Sequence, residues 1–115
     1  MPFKSDYSFV ERKKEYEKIS QKYSNKIPII CEKNIKNKDS PDLDKNKYLV
    51  PNDLTVGQFL YVIRKRMKLP PEKGIYIFID NTIPSTSQYL NVLHSLYKDE
   101  DGFLYITYSS ENTFG

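Results

Sequence analysis

The sequence predicts a single α+β domain of mixed layers, and three observations predict it. Stretches whose apolar residues recur at a helical interval alternate with short β-type runs, in the order helix, strand, strand, helix, strand, short helix, strand. The 115 residues suffice for one hydrophobic core and are too few for two. With 38% apolar and 14% aromatic residues and a net charge of only +3, the composition is that of a folded chain rather than a disordered one.

Each element has a local cause. Ser8-Phe9-Val10-Glu11 fits a capping box and opens a helix to about Lys22. Its apolar stripe, Phe9, Tyr16, Ile19 and Tyr23, is narrow, so this helix should lie on the domain rather than inside it. Lys26 to Lys33, KIPIICEK, reads as a buried strand with Pro28 near its start. The polar, turn-rich stretch from Asn34 to Asp44 is a loop, and Tyr48, Leu49 and Val50 form a second strand that Pro51 stops. The two strands make a hairpin.

Thr55-Val56-Gly57-Gln58 is a second capping box, with Leu54 and Phe59 as its hydrophobic staple. Val56, Leu60, Ile63 and Met67 fall on one face of the helix with Phe59 beside them, and Arg64-Lys65-Arg66 opposes the negative end of the dipole. Val62 lies further round, on the flank shared with Phe59 and Arg66. It either packs under a loop or lines a groove between this helix and the strand at Lys47–Val50, apolar inside and basic at its rim. Leu69-Pro70-Pro71 ends the helix. Ile75 to Ile79 has the pattern of a fully buried strand, ended by Asp80-Asn81. Ser85-Thr86-Ser87 can cap a short helix with Leu90, Leu93, Leu96 and Tyr97 inward. Asp99, Glu100 and Asp101 read as a solvated turn, Phe103 to Tyr108 as the last strand, and SSENTFG as a mobile tail.

Catalytic chemistry finds little footing. Cys31 lies in an apolar strand and His94 on a helix, with no motif joining them, so Cys31 reads as a small buried thiol. A lone histidine does not make a metal site, and no metal or cofactor is expected. The four glycines are scattered rather than gathered in a phosphate loop. One cysteine and a start without a signal-peptide apolar segment place the protein in the cytoplasm. Charge is uneven: residues 1–26 carry seven Lys/Arg against four acids, and residues 69–115 carry two against six. A basic front suggests an acidic partner, while the dense basic stripe of a nucleic-acid binder is missing, so no nucleic acid is expected. A rival reading has Lys13, Lys14, Lys18 and Arg64 to Arg66 meet nucleic acid or anionic lipid, and steep salt dependence of RNA binding would favour it.

The residues then point to a known family. EKI at Glu17–Ile19, IPII and CEK within Ile27–Lys33, DLDKNKYLVPNDLTVGQF at Asp42–Phe59 and IRKR at Ile63–Arg66 resemble the ubiquitin-like autophagy modifiers of the GABARAP type. IPSTS at Ile83–Ser87, KDEDGFLYITYS at Lys98–Ser109 and the final FG match as well, so the resemblance spans Phe9 to Gly115. It implies an α+β ubiquitin-like β-grasp fold with two additional N-terminal helices, the first within Pro2–Tyr7. The division expected is residues 1–24 as the helical extension, 25–109 as the ubiquitin-like domain and 110–115 as the tail.

The resemblance also implies a function. Such proteins are joined through a C-terminal glycine, here Gly115, to phosphatidylethanolamine on autophagosome membranes, and they recruit proteins carrying short aromatic-x-x-aliphatic motifs. The motif strand pairs with the edge at Lys47–Val50. By match, an aromatic pocket is lined by Glu15, Ile19, Pro28, Ile30, Lys47, Leu49 and Phe103. An aliphatic pocket matches Tyr48, Val50, Pro51, Leu54, Phe59 and Val62, and Lys26, Lys45 and Arg66 would meet acids of the partner. Activating and conjugating enzymes and a deconjugating cysteine protease are implied partners. Lys26 stands where the GABARAP type has arginine and Val62 where it has leucine, so acid contact and pocket fit should differ. Nothing follows Gly115, whereas many relatives carry a further tail that a protease removes; the chain is either ready for activation or was cut there. The absence of alanine and the richness in Lys, Asn, Ile and Tyr fit an AT-rich genome; an apicomplexan-type source would allow a role at a plastid membrane. The competing expectation is an unconjugated ubiquitin-like scaffold that binds peptides alone.

Overall fold

The computed structural model describes residues 2–36 and 40–110. The elements are α1 (Phe3–Asp6), α2 (Phe9–Lys22), β1 (Lys26–Lys33), β2 (Lys47–Pro51), α3 (Val56–Met67), β3 (Ile75–Phe78), α4 (Leu90–Tyr97) and β4 (Leu104–Ser110). Their four strands form one sheet in the order β2-β1-β4-β3. β1 and β2 are the antiparallel hairpin, β4 lies parallel to β1, and β3 pairs antiparallel with β4. This is the ubiquitin-like β-grasp of the α+β class, with two helices ahead of it.

Strand alternation divides the core between the two faces of the sheet. One face carries Ile27, Ile29 and Cys31 of β1, Tyr48 and Val50 of β2, and Leu104, Ile106 and Tyr108 of β4, packed under Val56, Phe59 and Ile63 of α3 and Leu90 and Leu93 of α4. The other carries Ile30, which packs with Phe103, with Ile19 of α2 and with Phe3 of α1. The N-terminal helices therefore seal the face that α3 and α4 leave open.

Both capping boxes form as their sequences require. Ser8 Oγ accepts from the Glu11 amide and Glu11 accepts from the Ser8 amide; Thr55 and Gln58 do the same at α3. The first turn of α3 has further partners, because the amides of Val56 and Gly57 donate to the carbonyls of Gln88 and Thr86 at 2.9 Å each. A Cβ on Gly57 would come within 3.3 Å of the Thr86 oxygen, so the close approach favours glycine there.

Several expectations need correction. Ser85–Ser87 do not cap α4, whose N-cap is Tyr89 and has no side-chain hydrogen bond; the segment instead braces the start of α3. Leu96 is 67% exposed and Tyr97 also faces solvent. Six steps of about 100° set Leu96 well away from Leu90, and the two-turn helix ends at Tyr97. β3 is not buried on both faces: it is an edge strand with Ile75 and Ile77 inward and Tyr76 and Phe78 half-covered. Pro51 is the last residue of β2 rather than its stop, a position an edge strand tolerates. Ser109 and Ser110 belong to β4, not to a tail. Of the stripe expected for α2, Phe9 and the C-cap Tyr23 are exposed.

The largest departure is at the acidic turn. Asp101 is 0% exposed. Its carboxylate accepts from the Phe103 amide at 2.9 Å and the Tyr105 hydroxyl at 2.6 Å, and Arg12 Nε of α2 lies 3.4 Å away. Next to it, Gly102 has φ +100°, and a Cβ there would strike the Tyr16 ring at 2.3 Å. α2 is thus held to the sheet by a buried ion pair and by a ring seated on a glycine.

His94 closes the same corner. Its Nε2 lies 2.7 Å from the Gly102 carbonyl and its ring stacks on Tyr16. Burial holds the imidazole below its ordinary value of 6.5, against the raising effect of the Gly102 carbonyl. The folded state then binds fewer protons than the unfolded one, so stability should fall as pH drops through and below 6.5. Urea midpoints taken between pH 7.5 and 5 should show this loss, and His94→Gln should flatten it; equal slopes in both proteins would contradict it.

Candidate functional site

β2 lies at the sheet edge and pairs only with β1 among the described residues, leaving its outer side without a strand. Its alternation sends Tyr48 and Val50 toward α3 and sets Lys47, Leu49 and Pro51 on the face toward α2. The open backbone edge therefore runs between two different apolar surfaces.

On the α2 side lie residues expected to line an aromatic pocket. Pro28 pairs across from Leu49 and Ile30 from Lys47, while Ile19, Ile30 and Phe103 share one buried cluster. Lys47 Nζ donates to Glu15 Oε1 at 2.8 Å, bridging β2 to α2 across the surface. That hydrogen bond is the main cause holding the Glu15 carboxyl below its ordinary value. Leu49 is 37% exposed and supplies the accessible apolar surface. A planar side chain entering here would meet Leu49 at the surface and the Ile19–Ile30–Phe103 cluster beneath.

On the α3 side the expected pocket separates into floor and rim. Tyr48, Val50 and Phe59 are buried in the main core, the Tyr48 and Phe59 rings meeting edge to face at 5.6 Å. Leu54 is partly buried, and Val62 is 38% exposed. Pro51 is exposed and shares its strand face with Leu49, so it does not join the others by side-chain direction. Only Val62 and the edge of Leu54 are available to a partner there. Val62 is exposed rather than covered by a loop.

The cations of the rim are partly engaged already. Arg66 makes a bidentate pair with Asp44 at 3.0 and 2.7 Å, and Lys45 Nζ sits 4.9 Å above the Tyr48 ring. An incoming acid at Arg66 would compete with Asp44. Lys26 stands opposite Pro51 at the far end of the hairpin. Arg64 donates to the carbonyls of Lys73 and Pro70, so it secures the loop after α3 rather than facing outward as part of a basic patch.

No arrangement for catalysis appears among the described residues. Cys31 is buried and burial pushes its thiol far up. No group of three His, Cys, Asp or Glu could hold a metal ion among them, and no helix there is long and apolar enough to cross a membrane. Gly115 and the rest of residues 111–115 lie outside the described residues. Sequence reasoning missed Arg12 and Asp101, and a signal was present: Arg12 stands four residues before Tyr16 and seven before Ile19, on the buried stripe of α2.

The family model described as "Autophagy protein Atg8 ubiquitin like" matches residues 11–115. The chain is 59% identical over 113 residues to "Autophagy-related protein 8" of Vanderwaltozyma polyspora, covering 98% of this chain and 95% of that protein. It is 60% identical over 113 residues to the protein of the same name from Candida glabrata, with the same coverage. The crystal structure of Trypanosoma brucei ATG8 superposes with a TM-score of 0.90 at 41% identity, covering 96% of this chain and 95% of that one.

Proposed function

The chain belongs to the Atg8 family of ubiquitin-like autophagy proteins, and from that premise we propose that it is a modifier joined through Gly115 to phosphatidylethanolamine. The observation that carries its recruiting role is the open edge of β2 between Leu49 on one face and Val62 on the other. An extended peptide adds to such an edge by main-chain hydrogen bonds, and side chains an odd number of positions apart, such as the three of this motif, point to the surfaces on either side. An aromatic-x-x-aliphatic segment has that spacing, with its aromatic residue over Leu49 and its aliphatic one beside Leu54 and Val62. Acidic flanks would meet Lys26, Lys45, Lys47 and Arg66, mostly at the solvent-exposed rim, where charge guides approach more than it adds affinity.

In this role the protein is a substrate and a carrier, with no catalytic residue of its own. Activating and conjugating enzymes attach it, and a deconjugating cysteine protease releases it. It is cytoplasmic until lipidated and afterwards resides on the autophagosome membrane, since two acyl chains anchor where one is marginal. The relatives lend no support to a plastid membrane, and the proposal is confined to autophagic membranes.

Calorimetric titration with an acidic aromatic-x-x-aliphatic peptide should give micromolar affinity, roughly −7 to −8 kcal/mol. Leu49→Ala removes accessible apolar surface and should weaken it by about 1–2 kcal/mol, with circular dichroism unchanged because Leu49 is not core. Tyr48 is unsuited to this test, being buried. Affinity unaffected by Leu49→Ala would remove the edge assignment. Mass spectrometry of the protein recovered from cells reads the conjugate directly, and only unmodified protein would leave a peptide-binding scaffold in its place.

A further inference from the structure

Arg66 lies in the last turn of α3 beside the Tyr48 hydroxyl of β2, so its guanidinium flanks the open edge. One side of that guanidinium is already taken. Asp44 Oδ1 accepts from Nε at 3.0 Å and Oδ2 from Nη2 at 2.7 Å, the two-bond geometry that a partner's carboxylate would itself adopt. Exposed ion pairs usually contribute little, because two side chains must be ordered to make them. Here one half of that cost is met by the fold. The Tyr108 hydroxyl donates to the Pro41 carbonyl at 2.7 Å, and the Tyr48 hydroxyl donates to the Lys45 carbonyl at 3.1 Å. The Cys31 amide donates to the Asn46 carbonyl at 2.7 Å, and Leu43 packs on the main core between these anchors. Asp44 is therefore presented from a segment fastened on both sides, at a high effective concentration beside Arg66.

We propose that Asp44 is an internal competitor for the acid of a bound peptide, and so a specificity-determining residue of the β2 edge. This rests on the peptide-binding reading above. A carboxylate arriving at Arg66 exchanges one two-bond partner for another and gains no additional charge-assisted bond. It also meets the Asp44 charge at close range. The partner favoured here is an aromatic-x-x-aliphatic segment with an uncharged residue facing Arg66. An acid at that place is rewarded only when Asp44 is removed.

The test is calorimetric titration with two peptides that share one aromatic-x-x-aliphatic core. The first carries Glu at both x positions and on both flanks, and the second carries Gln at the same places. The proteins compared are the unaltered chain, Asp44→Asn, Arg66→Gln, the double variant and Asp42→Asn. Asp42 is the neighbouring loop acid and pairs with Lys33, so Asp42→Asn removes the same charge without freeing Arg66. The Asp44 side chain is 67% exposed, and Asp44→Asn should keep the fold and its melting temperature. Asp44→Asn should tighten the Glu peptide about three-fold, the scale of one exposed charge pair, and leave the Gln peptide unchanged. In the Arg66→Gln background that gain should vanish. Asp42→Asn should alter neither affinity, since salt screens charges that are not in contact.

An equal gain from Asp42→Asn, or a gain that persists in the double variant, would assign the effect to overall charge and overturn this proposal. Unchanged binding of the Glu peptide by Asp44→Asn would overturn it too. Weaker binding would do the same, by making Asp44 a support that orients Arg66 for the partner. If the unaltered chain binds neither peptide, the edge reading fails and this proposal with it.

Discussion

Deletion of Gly115 is expected to leave folding and peptide affinity untouched and to reduce lipid conjugation to nothing detectable. The chemistry explains why the effect is all or none. Under the proposed conjugation, an activating enzyme would couple the terminal carboxylate to ATP, expelling pyrophosphate, and a cysteine thiolate would then displace AMP to leave a thioester. A lipid amine attacks that thioester and the thiol departs. Every step takes place at the carbonyl carbon of the last residue. Glycine presents that carbon with no Cβ beside it, whereas the deletion offers Phe114 in its place. The members of the two apolar clusters lie between Phe3 and Tyr108, so the deletion removes none of them. Vesicle flotation after reconstitution should recover the unaltered chain and none of the deletion, with equal melting temperatures. In cells the deletion should be wholly soluble; puncta persisting without Gly115 would reject conjugation at this residue.

The second large effect is expected on stability. Asp101→Ala should cost about 3–5 kcal/mol, the usual penalty for breaking a buried ion pair from one side. It leaves Arg12 buried without its ion-pair partner and removes the acceptors of the Phe103 amide and the Tyr105 hydroxyl. Arg12 Nε and Nη1 already lack a close hydrogen-bond acceptor among the described residues, and Asp99 is a second acid that feels its charge. Arg12→Met should cost less, because Asp101 would keep its two neutral donors and the thioether would fill the stem's place. Denaturant midpoints with equal m-values would measure both, and Asp101→Ala costing no more than Arg12→Met would refute this account. The same pair ties α2 to the start of β4, where Ile19, Ile30 and Phe103 meet. Asp101→Asn, which keeps the shape and an acceptor, should therefore weaken peptide binding at the α2 side more than at Val62.

The sequence by itself determined what depends on neighbours a few residues apart. Two capping boxes, the hairpin, the α3 core face through Val56, Phe59 and Ile63, and the burial of Cys31 all follow from local spacing and chain stiffness. The family motifs added the β-grasp fold and the N-terminal helices, because a shared sequence carries a shared packing. Tertiary structure alone decided the matters that depend on which distant segments meet. β2 is an edge strand because β4 inserts in parallel on the other side of β1, a choice no single strand records. Tyr48 is floor and Leu49 surface because helices cover both faces of the sheet but leave the seam beside Leu49 partly open. Asp101 looks like a solvated turn residue until Arg12, far away in sequence, arrives to share its burial. A polar side chain carries no mark of its burial, since its partner is specified by the fold and its desolvation is tolerable only once that partner is in place.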